Sequence, residues 1–474
     1  MVVVDAHNWL STFALLLWPL AALVLFRVLP MGRAILWTVL GAQLLLPASL
    51  AFKFEMIPQF DKASIPAICV FLGAFIFSKR PPMILRGFGF ANVIVFAVLV
   101  GPFATSLLNG DPIAAGGVVL PGTGVYDGVS AMEGAFIQLL PFFVGRQFLD
   151  RDEDCRNVLT VLVSAELIYT LPMLFEVRFS PQLHYWVYGF FSHEFQQSVR
   201  DNGFRPIVFM GHGLLASFFL ATATIASVAL WRTQSRTIFG RVTGLLVAYL
   251  ALVLVLCKSL GALVYCLLLA PLTRFATPNA QMRVAVVLAL IAFSYPLLRA
   301  LDWIPVNLAL SLARVVSVDR ALSLQTRFDN EEKLLAKALE RPVFGWGRFG
   351  RNRVYDEDSG RDVSITDGYW LITLGQFGVF GFIAEFGLML FTVFRASTAL
   401  KYCSTETDKI LLSALALIVS ISILDLIPNA GLVPWMWLMC GALQGRAERL
   451  ERNGKKLKSL VARRRQQQLQ SAVS

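Results

Sequence analysis

The chain has 474 residues, of which 56% are hydrophobic and only 15% are charged. A water-soluble globule has too little interior to bury that much apolar material, so the composition excludes a soluble enzyme. The 42 Lys and Arg residues outnumber the 31 Asp and Glu residues, and the net charge is +11. These cations stand between apolar runs and form no stripe with interleaved aromatic residues, which argues against nucleic acid as a partner.

Runs of about 20 mostly apolar residues predict membrane-spanning helices, because lipid cannot satisfy backbone N–H and C=O groups. We therefore expect an all-α, polytopic integral membrane protein with about 12–13 transmembrane helices. The first run lacks a basic leader and a small-residue cleavage site, so we expect a retained helix. The predicted spans are 9–30, 34–52, 64–78, 88–107, 131–148, 156–175, 207–231, 238–257, 259–275, 283–300, 368–395, 409–427 and 431–445.

Lys and Arg concentrate in alternate connections, and the positive-inside rule assigns those connections to the cytoplasm. The basic tail is then cytoplasmic, where it can touch anionic membrane lipid, and the two longest connections lie outside. The predicted divisions are N-terminal helices in 1–175, an aromatic-rich outer segment in 176–206, central helices in 207–300, a long outer loop in 301–366, C-terminal helices in 367–445 and the basic tail in 446–474.

The first outer segment contains HYWVYGFFSHEF from His184 to Phe195. Aromatic side chains of this kind prefer the headgroup level of a membrane, so an interfacial belt is one interpretation. Aromatic platforms also stack on sugar rings, and a binding role stays open.

Where this segment meets the next span, Arg205 and His212 are seven residues apart. Pro206 suits a helix start, and two helical turns would place both side chains on one face, about 10 Å apart. A charge at a membrane boundary is costly unless it faces protein or water, which makes the pair a candidate site. The alternative is a snorkelling arginine with a hydrogen-bonded histidine.

The long outer loop has its own pattern. Apolar residues recur at a helical period from Leu322 to Leu339 and predict an amphipathic helix on the outer membrane surface. Pro342 and several glycines follow, and predict a flexible stretch that can bring backbone amides and guanidinium groups to a ligand. The cations of that stretch are Arg348, Arg351 and Arg353.

Asp367 stands where the long loop enters the next span, and with Thr366 it could cap the free N–H groups of that helix. A cap without chemistry is the alternative interpretation. Gly375, Gly378 and Gly381 follow within the span and are typical of close helix packing. The six cysteines include no CxxC pair and no Cys/His zinc spacing, so we expect neither a disulfide framework, a metal nor a cofactor.

The order and spacing of these elements resemble the O-antigen ligase and Wzy-type polysaccharide polymerase superfamily of bacterial GT-C-like glycosyltransferases. The similar residues are RPIVFMGHGLLASF from Arg205, then Arg327, then ERPVFGWG from Glu340 to Gly347, then Asp367, and then YWLITLGQFGVFG from Tyr369 to Gly381.

The resemblance implies transfer of a glycan from undecaprenyl diphosphate to an acceptor at the periplasmic face of the bacterial inner membrane, without a nucleotide sugar, metal or cofactor. Arg205 and Arg327 are the expected diphosphate ligands, because a guanidinium binds phosphate oxygens bidentately and keeps its charge. The arginines at 348, 351 and 353 are second candidates. Asp367 is the expected base, His212 is its rival, and attack opposite the leaving diphosphate would invert the anomeric centre.

Two alternatives to a polysaccharide polymerase stay open. Ligases of the superfamily usually carry His where this chain has Asp367, so we expect a polymerase of O-antigen or exopolysaccharide, with a ligase acting on lipid A core as the first alternative. A chain-length regulator is a partner expected from the family alone. A polysaccharide transporter or flippase is the second alternative, and it would use the acids within the spans, namely Glu166, Glu385 and Asp425.

Overall fold

The computed structural model describes residues 8–54, 58–84, 89–200 and 203–473, and most of these residues lie in helices. The α-helices are α1 Trp9–Val28, α2 Met31–Leu45, α3 Ser64–Phe77, α4 Phe90–Leu107, α5 Val125–Phe148, α6 Asp152–Phe179, α7 Leu183–Tyr188, α8 Gly213–Arg232, α9 Gly244–Leu256, α10 Leu260–Phe275, α11 Pro278–Ala300, α12 Val306–Val316, α13 Val318–Leu339, α14 Tyr369–Ala399, α15 Glu406–Asp425 and α16 Pro434–Val473. Four antiparallel hairpins pair β1 Ala51–Phe52 with β2 Phe60–Asp61, β3 Ile113–Ala115 with β4 Val118–Leu120, β5 Val199–Arg200 with β6 Gly203–Phe204, and β7 Arg236–Thr237 with β8 Gly240–Arg241.

The structure confirms an all-α polytopic membrane protein. Among the described residues, eight helices are long and apolar enough to cross a membrane, namely α1, α4, α5, α6, α8, α11, α14 and α15. Five shorter apolar helices of the same part of the chain, α2, α3, α9, α10 and α12, have 15, 14, 13, 16 and 11 residues. The last expected span opens α16, a helix of 40 residues that continues through the basic tail. Each of the predicted spans thus coincides with a helix.

Alternate connections collect at two opposite faces of the bundle. We call the loop face the surface formed by the connections after α2, α4, α6, α9, α11 and α15, and the basic face the one formed after α1, α3, α5, α8, α10 and α14 with the end of α16. Contacts between helix ends and distant connections define each face. Thr105, in the last turn of α4, donates to the carbonyl of Phe344 at 2.8 Å on the loop face, and Arg449 of α16 pairs with Asp150 at 2.8 Å on the basic face. The cytoplasmic assignment of the basic face stays a prediction.

The long loop contains the expected helix and one more. The predicted helix Leu322–Leu339 is confirmed as the greater part of α13, which buries Leu334, Leu335 and Ala338. Before it, α12 exposes Leu308, Leu312 and Val315, which are spaced to lie on one side of a helix. A surface of this kind suits a membrane interface, whereas the position of both helices relative to a membrane stays a prediction.

Candidate functional site

An ion pair at the loop face joins two of the predicted site residues. Nε of Arg327, on α13, lies 3.7 Å from Oδ2 of Asp367, which precedes α14. The two side chains are 33% and 43% exposed, so both charged groups are open to a ligand. Arg327 also donates from Nη1 to the carbonyl of Pro428 at 3.3 Å, which ties it to the connection after α15. Residues far apart in the chain therefore meet here.

The ion pair lies in the wall of a cavity of about 300 Å³, which is at the lower end of the size of ligand pockets. The cavity lies between α10, α11, α13 and the connections that precede α14 and follow α15. Its polar wall is formed by Arg327, Asp367, Glu331 and two tyrosines, Tyr265 and Tyr295. Its apolar wall is formed by Leu324, Phe328, Ile365, Leu371, Leu424 and Ile427. A ligand with both a charged and an apolar part suits such a lining.

Glu331 is a second carboxylate of this cavity. The hydroxyl of Tyr295 donates to it at 3.1 Å, and Nε of Arg299 lies 3.4 Å from the same oxygen. Burial raises the pKa of Glu331, which these partners and Arg327 oppose. The carboxylate is thus engaged with α11 and fixes α13, and with it Arg327, against the membrane helices.

Arg205 and His212 are close together, but the helical arrangement predicted for them is wrong. Residues 205–212 form an irregular segment with positive φ at Val208 (51°) and Gly211 (88°), and α8 begins only at Gly213. Nδ1 of His212 accepts from the N–H of Leu214 at 3.0 Å and caps α8. The sequence signal misled because Pro206 is compatible with a turn as well as with a helix start.

Electrostatics connect this segment to the ion pair. Burial, with smaller contributions from the charges of His193, Arg205, Arg327 and Arg200, lowers the pKa of His212 to about 4. His212 is therefore neutral at pH 7, and three guanidinium groups lie close enough to act on it. Arg205 itself is only 8% exposed and donates from Nη2 to the carbonyl of Lys258 at 3.2 Å. Arg205 and Arg327 thus both act electrostatically on His212, whereas neither Arg205 nor His212 lines the cavity of Arg327 and Asp367.

The capping role expected of Asp367 is wrong. The N-cap of α14 is Gly368, without a side-chain hydrogen bond, and the N–H of Tyr369 donates to the carbonyls of Leu426 at 3.0 Å and Asn429 at 3.1 Å. The connection after α15 caps this helix instead. Asp367 is left with Arg327 as its partner, which favours the chemical interpretation over the cap.

The glycine-rich stretch 342–347 is not the flexible loop that its composition predicts. Its backbone is hydrogen-bonded to α14, which is broken at Gly378 (φ 65°, ψ −167°). The N–H groups of Val379 and Phe380 donate to the carbonyls of Pro342 and Val343 at 2.7 and 3.1 Å, and those of Trp346 and Gly347 donate to the carbonyls of Gly375 and Gln376 at 2.9 and 2.8 Å. We call this set of four bonds the loop–helix junction. It holds the long loop rigidly against a spanning helix.

The three second-rank arginines do not line the cavity in the described structure. Arg351 is 1% exposed and donates to the carbonyls of Trp346 at 3.0 Å and Pro121 at 2.8 Å. Arg353 pairs with Asp362 at 2.5 Å within the loop, and Arg348 lies toward Gly134 of α5. Arg351 and Arg353 therefore have structural partners, and only a rearrangement would bring them to a ligand at Asp367.

The aromatic-rich segment folds around His184, which is 3% exposed. Its Nε2 accepts from the N–H of Ala48 at 3.2 Å, and its Nδ1 faces the carbonyl of Phe190 at 2.8 Å. Tyr185 and Phe191 stack on each other and are 48% and 45% exposed. An interfacial belt and a sugar platform both remain compatible with these exposed rings.

Sequence reasoning missed Glu331 and Tyr295 as residues of this cavity. A signal was present for the first: Glu331 is four residues after Arg327, so both share one face of α13. Tyr295 and Arg299 are likewise four residues apart on one face of α11, and both contact Glu331.

The fold and the site define an all-α polytopic membrane protein with a charged cavity at one end of its helices. The chain matches no protein-family model and no curated protein.

Proposed function

We propose that the protein is a glycosyltransferase that polymerises a bacterial surface polysaccharide, O-antigen or exopolysaccharide, at the periplasmic face of the inner membrane. The donor is an undecaprenyl-diphosphate-linked glycan, and the acceptor is another such glycan. The observation that carries the proposal is the Arg327–Asp367 pair in the cavity wall.

A donor of this kind needs a cation for its diphosphate and a base for the attacking hydroxyl. In the proposed step, the guanidinium of Arg327 exchanges its bond to Asp367 for phosphate oxygens of the donor. The released carboxylate then accepts the proton of the acceptor hydroxyl. That oxygen bonds to the anomeric carbon, the bond from this carbon to phosphate breaks, and undecaprenyl diphosphate leaves with the electron pair. Attack opposite the leaving group inverts the anomeric centre.

Arg205 is the second cation proposed for the departing diphosphate, because its charge, like that of Arg327, acts on the ring of His212. Like Arg351, it donates to a backbone carbonyl and reaches a ligand at Asp367 only after a rearrangement. His212 is neutral and caps α8 through Nδ1. Its role in the proposal is to hold the segment that positions Arg205, and Asp367 is favoured as the base because its carboxylate faces the cavity.

The test is polymer formation in cells that carry Arg205→Ala, Arg327→Ala or Asp367→Asn. Each is expected to abolish polymer and to accumulate single lipid-linked repeat units, while the protein still reaches the membrane; loss of a general base alone costs about 10²–10⁴-fold in rate. Arg327→Lys is expected to restore little, because a point charge cannot reproduce the guanidinium fork. Asp362→Asn is the matched control, since it breaks a loop ion pair away from the cavity. Polymer of normal length in the Asp367→Asn cells would exclude the proposed base.

A ligase would use the same chemistry with lipid A core as its acceptor. Purified protein incubated with one defined lipid-linked repeat unit separates the two. A polymerase forms products of two or more repeats from this substrate alone, whereas a ligase forms product only when lipid A core is added.

Transport is the second candidate function, and one observation favours it. Glu166 lies in the middle of α6, is fully buried, and has no hydrogen-bond partner for either carboxylate oxygen in the described residues. Ionisable groups within spans mark transport paths in many membrane proteins. A transporter predicts that Glu166→Gln traps single repeat units at the cytoplasmic side, whereas a blocked polymerase leaves them outside.

A further inference from the structure

A cavity of about 1150 Å³ opens on the basic face, at the opposite end of the helices from Arg327 and Asp367. Four parts of the chain form it: the turn between α1 and α2, residues 78–83, the turn between α5 and α6, and the part of α16 from Arg449 to Lys456. The side chain of Gln147 fixes one wall, because it donates to the carbonyl of Pro81 at 2.9 Å and accepts from the N–H of Met83 at 2.7 Å.

The charges around this cavity are unbalanced. Two of its arginines have acidic partners, since Arg449 pairs with Asp150 at 2.8 Å and Arg151 with Glu153 at 3.4 Å. Five further cations have no carboxylate within 4 Å in the described part of the chain, and these are Arg33, Lys79, Arg80, Arg452 and Lys456. Like charges held around one concave surface repel each other, so a bound anion would stabilise the arrangement.

Apolar side chains complete the lining. Met31, Phe77 and Phe148 are half-buried and face the same cavity as the cations. Each lies at the end of an apolar helix, where the hydrocarbon region of a membrane gives way to headgroups. The cavity thus combines a cationic rim with an apolar wall.

We propose that this cavity binds the headgroup of an anionic phospholipid that carries two phosphates. Basic pockets between transmembrane helices bind headgroups of this class. Asp154 is a third carboxylate of the lining beside Asp150 and Glu153, so the seven cations exceed the acids by four. This excess is larger than the charge of one phosphodiester and favours two phosphates over one. The apolar wall accommodates the start of the acyl chains, which favours a lipid over a soluble phosphate compound.

The experiment uses the full-length protein in detergent micelles, titrated with cardiolipin, with dioleoylphosphatidylglycerol or with dioleoylphosphatidylcholine, and bound lipid is counted by native mass spectrometry. Cardiolipin is expected to bind at least tenfold more tightly than phosphatidylglycerol, and phosphatidylcholine least. Arg80→Gln and Arg452→Gln are each expected to weaken cardiolipin binding about fivefold, and the double variant about 25-fold, because each cation near a lipid surface contributes about that much.

Arg241→Gln is the matched control, because Arg241 is exposed on the same face but lies outside the cavity. It is expected to leave cardiolipin binding unchanged. An equal loss in this control would reduce the site to general surface charge and overturn the proposal. Equal affinity for phosphatidylglycerol would overturn the two-phosphate assignment, and displacement of cardiolipin by millimolar inorganic pyrophosphate would assign the cavity to soluble phosphates. Lys79→Gln provides a further cavity variant if either arginine variant loses its thermal transition without lipid.

Discussion

Replacement of Gly378 by Ala is expected to open the loop–helix junction. The backbone at Gly378 has φ 65° and ψ −167°, a region that only glycine adopts readily. A Cβ there would lie against the carbonyl of Val343 and 2.6 Å from the amide nitrogen of Phe344. The methyl group therefore meets backbone atoms of the loop, which cannot move away without breaking the junction.

The magnitude follows from two contributions. A non-glycine residue in this conformation costs about 1–3 kcal/mol, and each of the four backbone hydrogen bonds contributes about 0.5–1.5 kcal/mol net. We therefore expect Gly378→Ala to lower the free energy of opening the loop–helix junction by about 3 kcal/mol. Since 1.4 kcal/mol is about a tenfold change in an equilibrium, local opening should become about 100-fold more frequent.

Hydrogen exchange measured by mass spectrometry tests this in the detergent-solubilised protein. Peptides that contain the N–H groups of Trp346, Gly347, Val379 and Phe380 should exchange about 100-fold faster in Gly378→Ala. Gly387→Ala is the matched control on the same helix, because its Cβ would make an ordinary contact of 3.8 Å with Phe293. If the two variants exchange alike at the junction, the reasoning is refuted. Loss of polymer in Gly378→Ala would further connect the junction to the proposed activity.

Two other predictions concern buried titratable groups. His184 has a pKa lowered to about 4 by burial, against about 6.5 in the unfolded chain, so the unfolded state binds the extra proton and stability should fall as pH decreases from 6.5 to 4. The loss is up to about 3 kcal/mol from this residue. Thermal unfolding against pH should therefore show a shallower acid decline in His184→Asn than in wild type, with the half-buried His193→Asn as the control, and equal declines in His184→Asn and wild type would contradict the assignment. Glu166→Met should raise the unfolding midpoint, since a buried carboxyl without a partner in the described structure costs about 1–3 kcal/mol, and a lowered midpoint would show that Glu166 has a stabilising role.

The spanning helices could be predicted from sequence because their signal is local. Every expected span corresponds to a helix, since apolar runs of sufficient length have no other stable form in lipid. Errors occur where a few residues decide the backbone. Residues 207–212 continue an apolar run, yet positive φ at Val208 and Gly211 delays α8 until Gly213.

The candidate site was predictable in its parts but not in its contacts. Arg327 and Asp367 were identified from their place in a pattern, and their ion pair depends on where α13 docks on α11. Composition wrongly predicted flexibility for residues 342–347, because glycine permits a close approach between backbones as readily as it permits flexibility. Only the four backbone hydrogen bonds to α14 show that the glycines permit a close approach here and not a flexible loop.

The loop–helix junction also constrains how the chain reaches its final form. Residues 342–347 are synthesised before α14, yet the acceptors and donors that satisfy them lie on both sides of the break at Gly378. The backbone groups of residues 342–347 therefore lack these hydrogen bonds until the following helix has inserted. In turn, α14 cannot form its break at Gly378 until the loop has reached the same end of the bundle. Formation of this region is consequently a late, coupled event, and a nascent chain truncated before Gly378 should leave the long loop sensitive to quality-control proteases.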